Sequence, residues 1–247
     1  MTNIIEHTTK EIYNLIADEF DLYRVKVWPC VGTFLRKCNS SDLLLDIGCG
    51  NGKNIIGNMH LNFKGLDFSE KLVSICQSKN LDVVEASMTS MPYEDNMFDG
   101  FIAVASYHHL SNDNDRMKTL NEMYRVLKPG GRGLIVVWAS EQYQTESDIL
   151  GFKKDFSNEQ YNMKLNIGKA AKQLTKFNFI KTDDKITSKF GFDELVLWKS
   201  KSGKNYERYY HIYSKDDLVN EINTFEPRFK IGDVGLQRGN WHVEIMK

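Results

Sequence analysis

Residues Leu43–Gly52 read LLLDIGCGNG: an apolar run, an acid at Asp46, then glycines at 48, 50 and 52 with one residue between each. A short apolar run stopped this abruptly is the pattern of a central parallel strand. Glycines beyond it let the chain turn tightly and let a ligand approach the backbone. The turn poses a choice between a phosphate, as in dinucleotide enzymes, and a ligand of different charge.

Working outward, strand and helix patterns alternate. GKNIIGNM opens a helix and FKGLDFS supplies a second strand. SEKLVSICQSKN follows, with Leu72, Val73, Ile75 and Cys76 on a buried stripe and Ser69 as N-cap. LDVVEA is a short third strand and FDGFIAVAS a fourth. DRMKTLNEMYRVL is a helix with Met117, Leu120, Tyr124 and Leu127 on one side, stopped by KPGG before the strand GLIVVWA. This order predicts a doubly wound, mostly parallel seven-stranded α/β sheet with an antiparallel C-terminal strand. Residues 1–247 are read as one domain with a helical cap over about 1–40, including a helix from Thr9 to Phe20. An irregular basic insertion covers about 141–204, too long for an ordinary connection. The tail carries a helix, SKDDLVNEI, and two strands around a glycine turn in RFKIGDVGLQRGNWHVEIMK.

The 247 residues suffice for one sizeable core, and 41% hydrophobic with 26% charged residues is ordinary for a globular chain. A formal net charge of -1 gives no global argument for nucleic-acid binding. Its distribution is uneven: ten lysines between Lys164 and Lys204 face only Asp183, Asp184, Asp193 and Glu194. Such a stretch can attract a polyanion locally, or simply be solvated. No apolar run is long enough to span a membrane and no signal-peptide pattern opens the chain. Cys30, Cys38, Cys49 and Cys76 lack paired metal-ligand spacing, so a cytoplasmic protein with reduced thiols and no metal site is expected.

The glycine turn can be discriminated by spacing and charge. A second acid, Asp67, ends the next strand about 20 residues on, where an acid can grip ribose hydroxyls. The usual dinucleotide fingerprint is G-x-G-x-x-G, whereas these glycines fall as G-x-G-x-G two positions after an acid. An acid beside a pyrophosphate repels; an acid beside a cationic amino-acid tail attracts. The pattern resembles the class I S-adenosylmethionine-dependent methyltransferases, whose D-x-G-x-G-x-G turn faces the methionine end of the cofactor. That resemblance implies cofactor contacts from Asp46, Gly48, Gly50 and Gly52, from Asp67 to the ribose, and from Phe68 beside the adenine. Ser87 stands where many relatives carry an acid near adenine. Cys49, Met88 and Ala103 lie in the same matching stretches and complete the expected cofactor set.

Five further stretches resemble one family, the eukaryotic methyltransferases that esterify 5-carboxymethyluridine at the tRNA wobble position. They are YRVKVWP (Tyr23–Pro29), YHHLS (Tyr107–Ser111), WASEQ (Trp138–Gln142), the tail pair RYYHIY with RGNWHV, and DELVLW (Asp193–Trp198), with leucine at 197 where the family usually has proline. The implied acceptor makes chemical sense. A carboxylate with a pKa near about 4 is already ionised at neutral pH, so no general base is needed. The protein must instead hold an anion beside a cation and exclude water. Arg24 is the leading carboxylate clamp, because a guanidinium binds carboxylate bidentately; Lys26 is the weaker candidate. His108 and His109 follow strand four at the floor of such folds, one expected to meet substrate and the other a backbone group. Trp138 and Trp241 are stacking candidates for the uridine, with Arg238 and Asn240 beside them. The short third strand is a sheet edge near Met88, Met91 and Met97. Relatives work with a small zinc-binding activator protein added to this edge, and the resemblance implies the same partner here.

Two other readings compete. A methyltransferase for a small metabolite would use the basic insertion and tail as a lid. A binding protein without catalysis would keep or lose the cofactor. NAD-dependent reduction is disfavoured by the loop spacing.

Overall fold

The computed structural model describes residues 2–143, 189–200 and 203–247. The glycine turn ends β1 (Leu43–Ile47), central in a seven-stranded sheet ordered β3-β2-β1-β4-β5-β9-β8. β2 (Asn62–Asp67) and β3 (Val83–Glu85) lie to one side, and β4 (Phe98–Val104) and β5 (Leu127–Trp138) to the other. These five run parallel; β9 (Asn240–Met246) is antiparallel to both β5 and β8 (Lys230–Gln237), so β8 rejoins the common direction. β8 and β9 meet across a two-residue turn in which Arg238 and Gly239 both have positive φ, 53° and 69°. That conformation matches the twist of a tight hairpin.

Alternation along the strands sends side chains to two faces. Leu45, Ile47, Phe101, Ala103, Ile135 and Val137 pack on one side with α5 (Asp113–Val126) and α6 (Lys215–Phe225). Leu44, Ile102, Val104, Leu134 and Val136 pack on the other with α2 (Pro29–Leu35), the single turn α3 (Lys53–Ile56) and α4 (Glu70–Ser78). Burial on both faces explains why these strands read as continuous apolar runs. Ser69 caps α4 by accepting from Leu72 N, and Leu72, Val73 and Cys76 are its buried residues. α5 differs from the reading of its stripe. Arg116, Thr119, Leu120, Met123 and Val126 are buried, while Met117 is 39% exposed. Arg116 turns inward because Glu221 of α6 accepts its Nε at 2.8 Å. KPGG is not a separate stop either: α5 ends at Val126 and the chain enters β5 directly, with Gly130 at φ 81° beside an irregularity in the β4 pairing.

α1 (Thr2–Tyr23) is longer than the expected Thr9–Phe20 and packs Ile12, Tyr13, Ile16 and Ala17 against Leu72 and Trp198. A second, two-stranded antiparallel sheet joins β6 (Phe192–Lys199) to β7 (Asn205–Ile212). The end of the stretch read as irregular is therefore a strand. Residues 144–188, with the lysines from Lys164 to Lys185, and Lys201 lie outside the described residues. Met91 is buried, and Met88 and Met97 pack on the main core rather than forming a free apolar edge beside β3. No helix among the described residues is long and apolar enough to cross a membrane.

Candidate active site

Gly48, Gly50 and Gly52 all take positive φ, 69°, 58° and 75°. The turn is bare for packing reasons too. A Cβ at 48 would lie 2.3 Å from Ser106 Cβ, and one at 52 would lie 2.3 Å from Leu81 Cδ1. Four N–H groups of the turn already have acceptors inside the protein. Those of Gly48 and Cys49 donate to Leu66 O at 2.8 and 2.9 Å, and that of Gly52 to Cys49 O at 3.1 Å. Gly50 N donates to Asp67 Oδ2 at 2.8 Å. A phosphate cradle needs such donors free, so the turn is poorly furnished for a pyrophosphate.

Two buried acids flank it. Asp67 Oδ1 also accepts from Ser69 N at 2.9 Å. Burial pushes its carboxyl up to about 6 despite those backbone hydrogen bonds. Asp46 is fully buried; Asn54 Nδ2 donates to its Oδ2 at 3.3 Å, while Oδ1 has no partner. Burial pushes Asp46 up to about 7, with Asn54 and Lys53 opposing and Asp67 adding to the rise. An orphaned buried carboxylate oxygen beside a second acid is an environment that a cation completes.

The floor is the end of β4. Ala105 has φ 56°, a conformation that costs energy outside glycine and recurs at functional sites. Ser106 Oγ donates to Ile47 O at 2.7 Å, stitching β4 to β1 beneath Gly48. His109 Nδ1 donates to Tyr209 O at 2.7 Å, so its Nε2 accepts from the Tyr13 hydroxyl at 2.8 Å. Burial pushes His109 down to about 3, and Arg208 adds to the fall. His108 Nδ1 accepts from Trp138 N at 3.1 Å, which leaves the proton on a buried Nε2 that has no partner. Burial, first, and the neighbouring His109 and Arg208 hold His108 well below the usual histidine range. Both rings thus engage a backbone group, and both are neutral. His108 stacks on Tyr210 at 4.6 Å, and Trp138 lies against the same ring at 4.5 Å.

Across the turn stands a cationic, aromatic wall. Arg24 follows α1 and lies over the rings of Phe20 (5.7 Å) and Trp198 (5.8 Å). Phe20 in turn backs Gly50, whose added Cβ would meet it at 3.1 Å. Asn51 ties these parts together: its amide donates to Asp21 Oδ1 at 2.9 Å and to Arg24 O at 3.1 Å. Burial and the neighbouring Arg208 lower the Arg24 guanidinium. Arg208 of β7 lies 4.9 Å from the centroid of Trp198 and 5.1 Å from that of Tyr210.

The residues singled out in the sequence fall into two groups. Asp46, Gly48, Cys49, Gly50, Gly52, Asp67, Arg24, His108, His109 and Trp138 gather at this end of the sheet, with Phe68 packed against Tyr13 and Met88 approaching Gly48. The others are occupied elsewhere. Ala103 is in the core. Ser87 Oγ shares a hydrogen bond with Thr89 Oγ1 at 2.8 Å, and Lys26 is exposed. Asn240 donates to Arg238 O at 2.8 Å within the hairpin turn, and Trp241 Nε1 donates to Glu141 Oε2 at 2.7 Å. Tyr13, Trp198, Arg208 and Tyr210 were not among the candidates, although RYYHIY and DELVLW contain three of them.

Comparison with known proteins adds a family to this geometry. Residues 45–135 match the Methyltransferase domain family. The chain is 42% identical over 134 residues to the tRNA (carboxymethyluridine(34)-5-O)-methyltransferase of Arabidopsis thaliana, covering 54% of this chain and 33% of that protein. It is 30% identical over 233 residues to the protein of the same name from Schizosaccharomyces pombe, covering 94% of this chain and 93% of that one. Alignment with the first curated relatives spans between a fifth and two fifths of their lengths. Among solved structures, the fold is shared with a chain from the complex between the Haloferax volcanii Trm112 methyltransferase activator and a methyltransferase. The TM-score is 0.61 at 11% identity, with 96% of both chains covered. On the strength of the near full-length relative, the chain belongs to the tRNA (carboxymethyluridine(34)-5-O)-methyltransferase family.

Proposed function

We propose that this protein transfers the methyl group of S-adenosylmethionine to the carboxylate of 5-carboxymethyluridine at the tRNA wobble position, giving the methyl ester. The observation that carries the reading is the glycine turn: the N–H groups of Gly48, Cys49, Gly50 and Gly52 are spent and two buried acids stand beside it. That environment suits the ammonium and ribose of a sulfonium cofactor and not a pyrophosphate. Asp46, Gly48, Cys49, Gly50 and Gly52 would line the methionine end, Asp67 the ribose, and Phe68 and Met88 the base. When bound, the cofactor supplies an electrophilic methyl on a cationic sulfur. Arg24 neutralises and orients the incoming carboxylate, and Trp138 walls the acceptor. His108 and His109, both neutral, hold the floor and add no charge opposite the sulfonium. No residue need remove a proton, because the acceptor is ionised at neutral pH.

The tRNA substrate is taken from the relatives' names, and the cationic wall supports an anionic acceptor group. Among the described residues β3, three residues long, pairs only with β2 and leaves the sheet edge where a small zinc-binding activator would add. The reaction would run in the cytoplasm.

One assay tests the reaction. The protein, alone and co-expressed with the candidate activator, receives labelled S-adenosylmethionine and tRNA bearing carboxymethyluridine. Base-labile label at the wobble nucleoside is expected, since a methyl ester saponifies; alkali-stable label, or none, refutes the reading. Arg24→Ala should lower transfer by roughly a hundredfold, about the value of a charge-assisted bidentate pair, with S-adenosylhomocysteine affinity little changed.

A further inference from the structure

Arg24 and Arg208 flank the indole of Trp198, their guanidinium carbons 5.8 and 4.9 Å from its centroid. Trp198 and Arg208 come to the same face of the β6–β7 sheet because Trp198 pairs with Tyr206 and Val196 with Arg208, making them diagonal neighbours. Arg208 is 4% exposed. Its Nη1 donates to the Tyr13 hydroxyl at 3.4 Å, and its Nε has no partner. The buried indole N–H of Trp198 also lacks one. Among the described residues no carboxylate pairs with either guanidinium, in contrast to buried Arg116, which is matched by Glu221. Burying the Arg208 charge with half-buried Arg24 on the other side of the same indole costs more than stacking on aromatic faces returns. A fold retains such a pair where an anion completes it. The place is the acceptor side of the site: Arg24 stacks on Phe20, which backs Gly50, and Tyr13 joins Arg208 to His109.

We propose that Arg208 is a second acceptor-binding guanidinium, and that Arg24 and Arg208 grip one carboxylate between them with the Trp198 indole N–H as a further donor. This pair selects a charged carboxymethyl group over its uncharged carboxamide counterpart. The inference rests on the reaction proposed above and assigns the acceptor specificity to two arginines rather than one. Arg208 also lies beside Tyr210, whose ring stacks with His108, so the second guanidinium stands near the floor.

The test compares binding of two anticodon stem-loops, one with carboxymethyluridine and one with carbamoylmethyluridine at the wobble position, to wild type, Arg208→Gln and Arg208→Lys. Methyl transfer to the first is measured alongside, and calorimetry with S-adenosylhomocysteine reports the cofactor site. Wild type should prefer the carboxylate; Arg208→Gln should lower that preference by roughly ten- to a hundredfold, the value of a hydrogen-bonded charge. Arg208→Lys should restore part of it, since charge returns without the planar fork. A merely structural role would weaken both stem-loops alike and leave their ratio unmoved. Should Arg208→Gln fail to bind S-adenosylhomocysteine, Arg208→Lys carries the comparison, and a wild-type ratio there overturns the inference. An active wild type with unchanged preference in both variants likewise overturns it. A wild type that never labels the carboxymethyl substrate overturns the reaction itself.

Discussion

Replacing Asp46 by asparagine should change how stability depends on pH in a way that can be worked out beforehand. The carboxyl is fully buried, holds one hydrogen bond at 3.3 Å, and is pushed up to about 7 by burial. Unfolded, the same group titrates near about 4. Between those two values the folded chain keeps a proton that the unfolded chain has released, so stability falls as pH rises through the window and levels above it. Linkage gives a penalty of about 4 kcal/mol at pH 8 and about 1.5 kcal/mol at pH 5. Asparagine keeps the shape and the hydrogen bond with Asn54 but carries no such proton. Urea unfolding of both ligand-free proteins should therefore show the variant gaining on wild type by about 2–3 kcal/mol between pH 5 and pH 8. The contribution of Asp67 is common to both and largely cancels. Saturating S-adenosylhomocysteine, whose ammonium this acid would face, should flatten the wild-type slope. A difference between the two proteins that does not vary with pH would refute the reasoning.

Other outcomes follow from the same geometry. Gly48→Ala places a side chain at φ 69° and 2.3 Å from Ser106 Cβ. The left-handed backbone costs about 1–2 kcal/mol of stability, and relieving the clash must shift the turn, so calorimetry should show S-adenosylhomocysteine affinity falling roughly tenfold; normal affinity would count against the site. Asn51→Ala removes the amide that holds Asp21 and Arg24 to the turn. At about 1 kcal/mol per hydrogen bond, transfer should drop roughly tenfold, with acceptor KM rising more than cofactor affinity falls. Binding of tRNA should weaken about tenfold or more between 50 and 200 mM salt, whereas a metabolite-sized acceptor would be almost insensitive.

The parts of this site that sequence could reveal are those set by backbone demands a few residues apart. Alternating glycines at 48, 50 and 52 meet alternating positive φ values, and Ser69 caps the helix that follows β2 because both act locally. Two-face burial of Leu44–Ile47 is legible for the same reason. What escaped depends on partners far along the chain. The inward turn of Arg116 was not legible, because Glu221, 105 positions away, is what permits it. Tyr13 reaches His109 across 96 positions and Arg208 reaches Tyr13 across 195, distances over which no periodicity carries information. At Ser87, the expected ligand position after β3, the structure adds a local contact that the sequence did not specify, its hydroxyl sharing a hydrogen bond with Thr89. Arg208 did have one visible signal: an arginine inside an aromatic strand, RYYHIY, has to be paired or used.

The β6–β7 ribbon is hydrogen-bonded apart from the main sheet, yet it packs on the end of that sheet, Tyr210 against Trp138 and His108 and Tyr209 O against His109, and brings Trp198, Arg208 and Tyr210 to one wall of the site. In the proposed reaction the donor would be held by the large sheet, while the ribbon would share the acceptor side with Arg24 and Trp138. Redesign of what this protein methylates would accordingly have to change that ribbon together with Trp138 and His108, the side chains on which its Tyr210 rests.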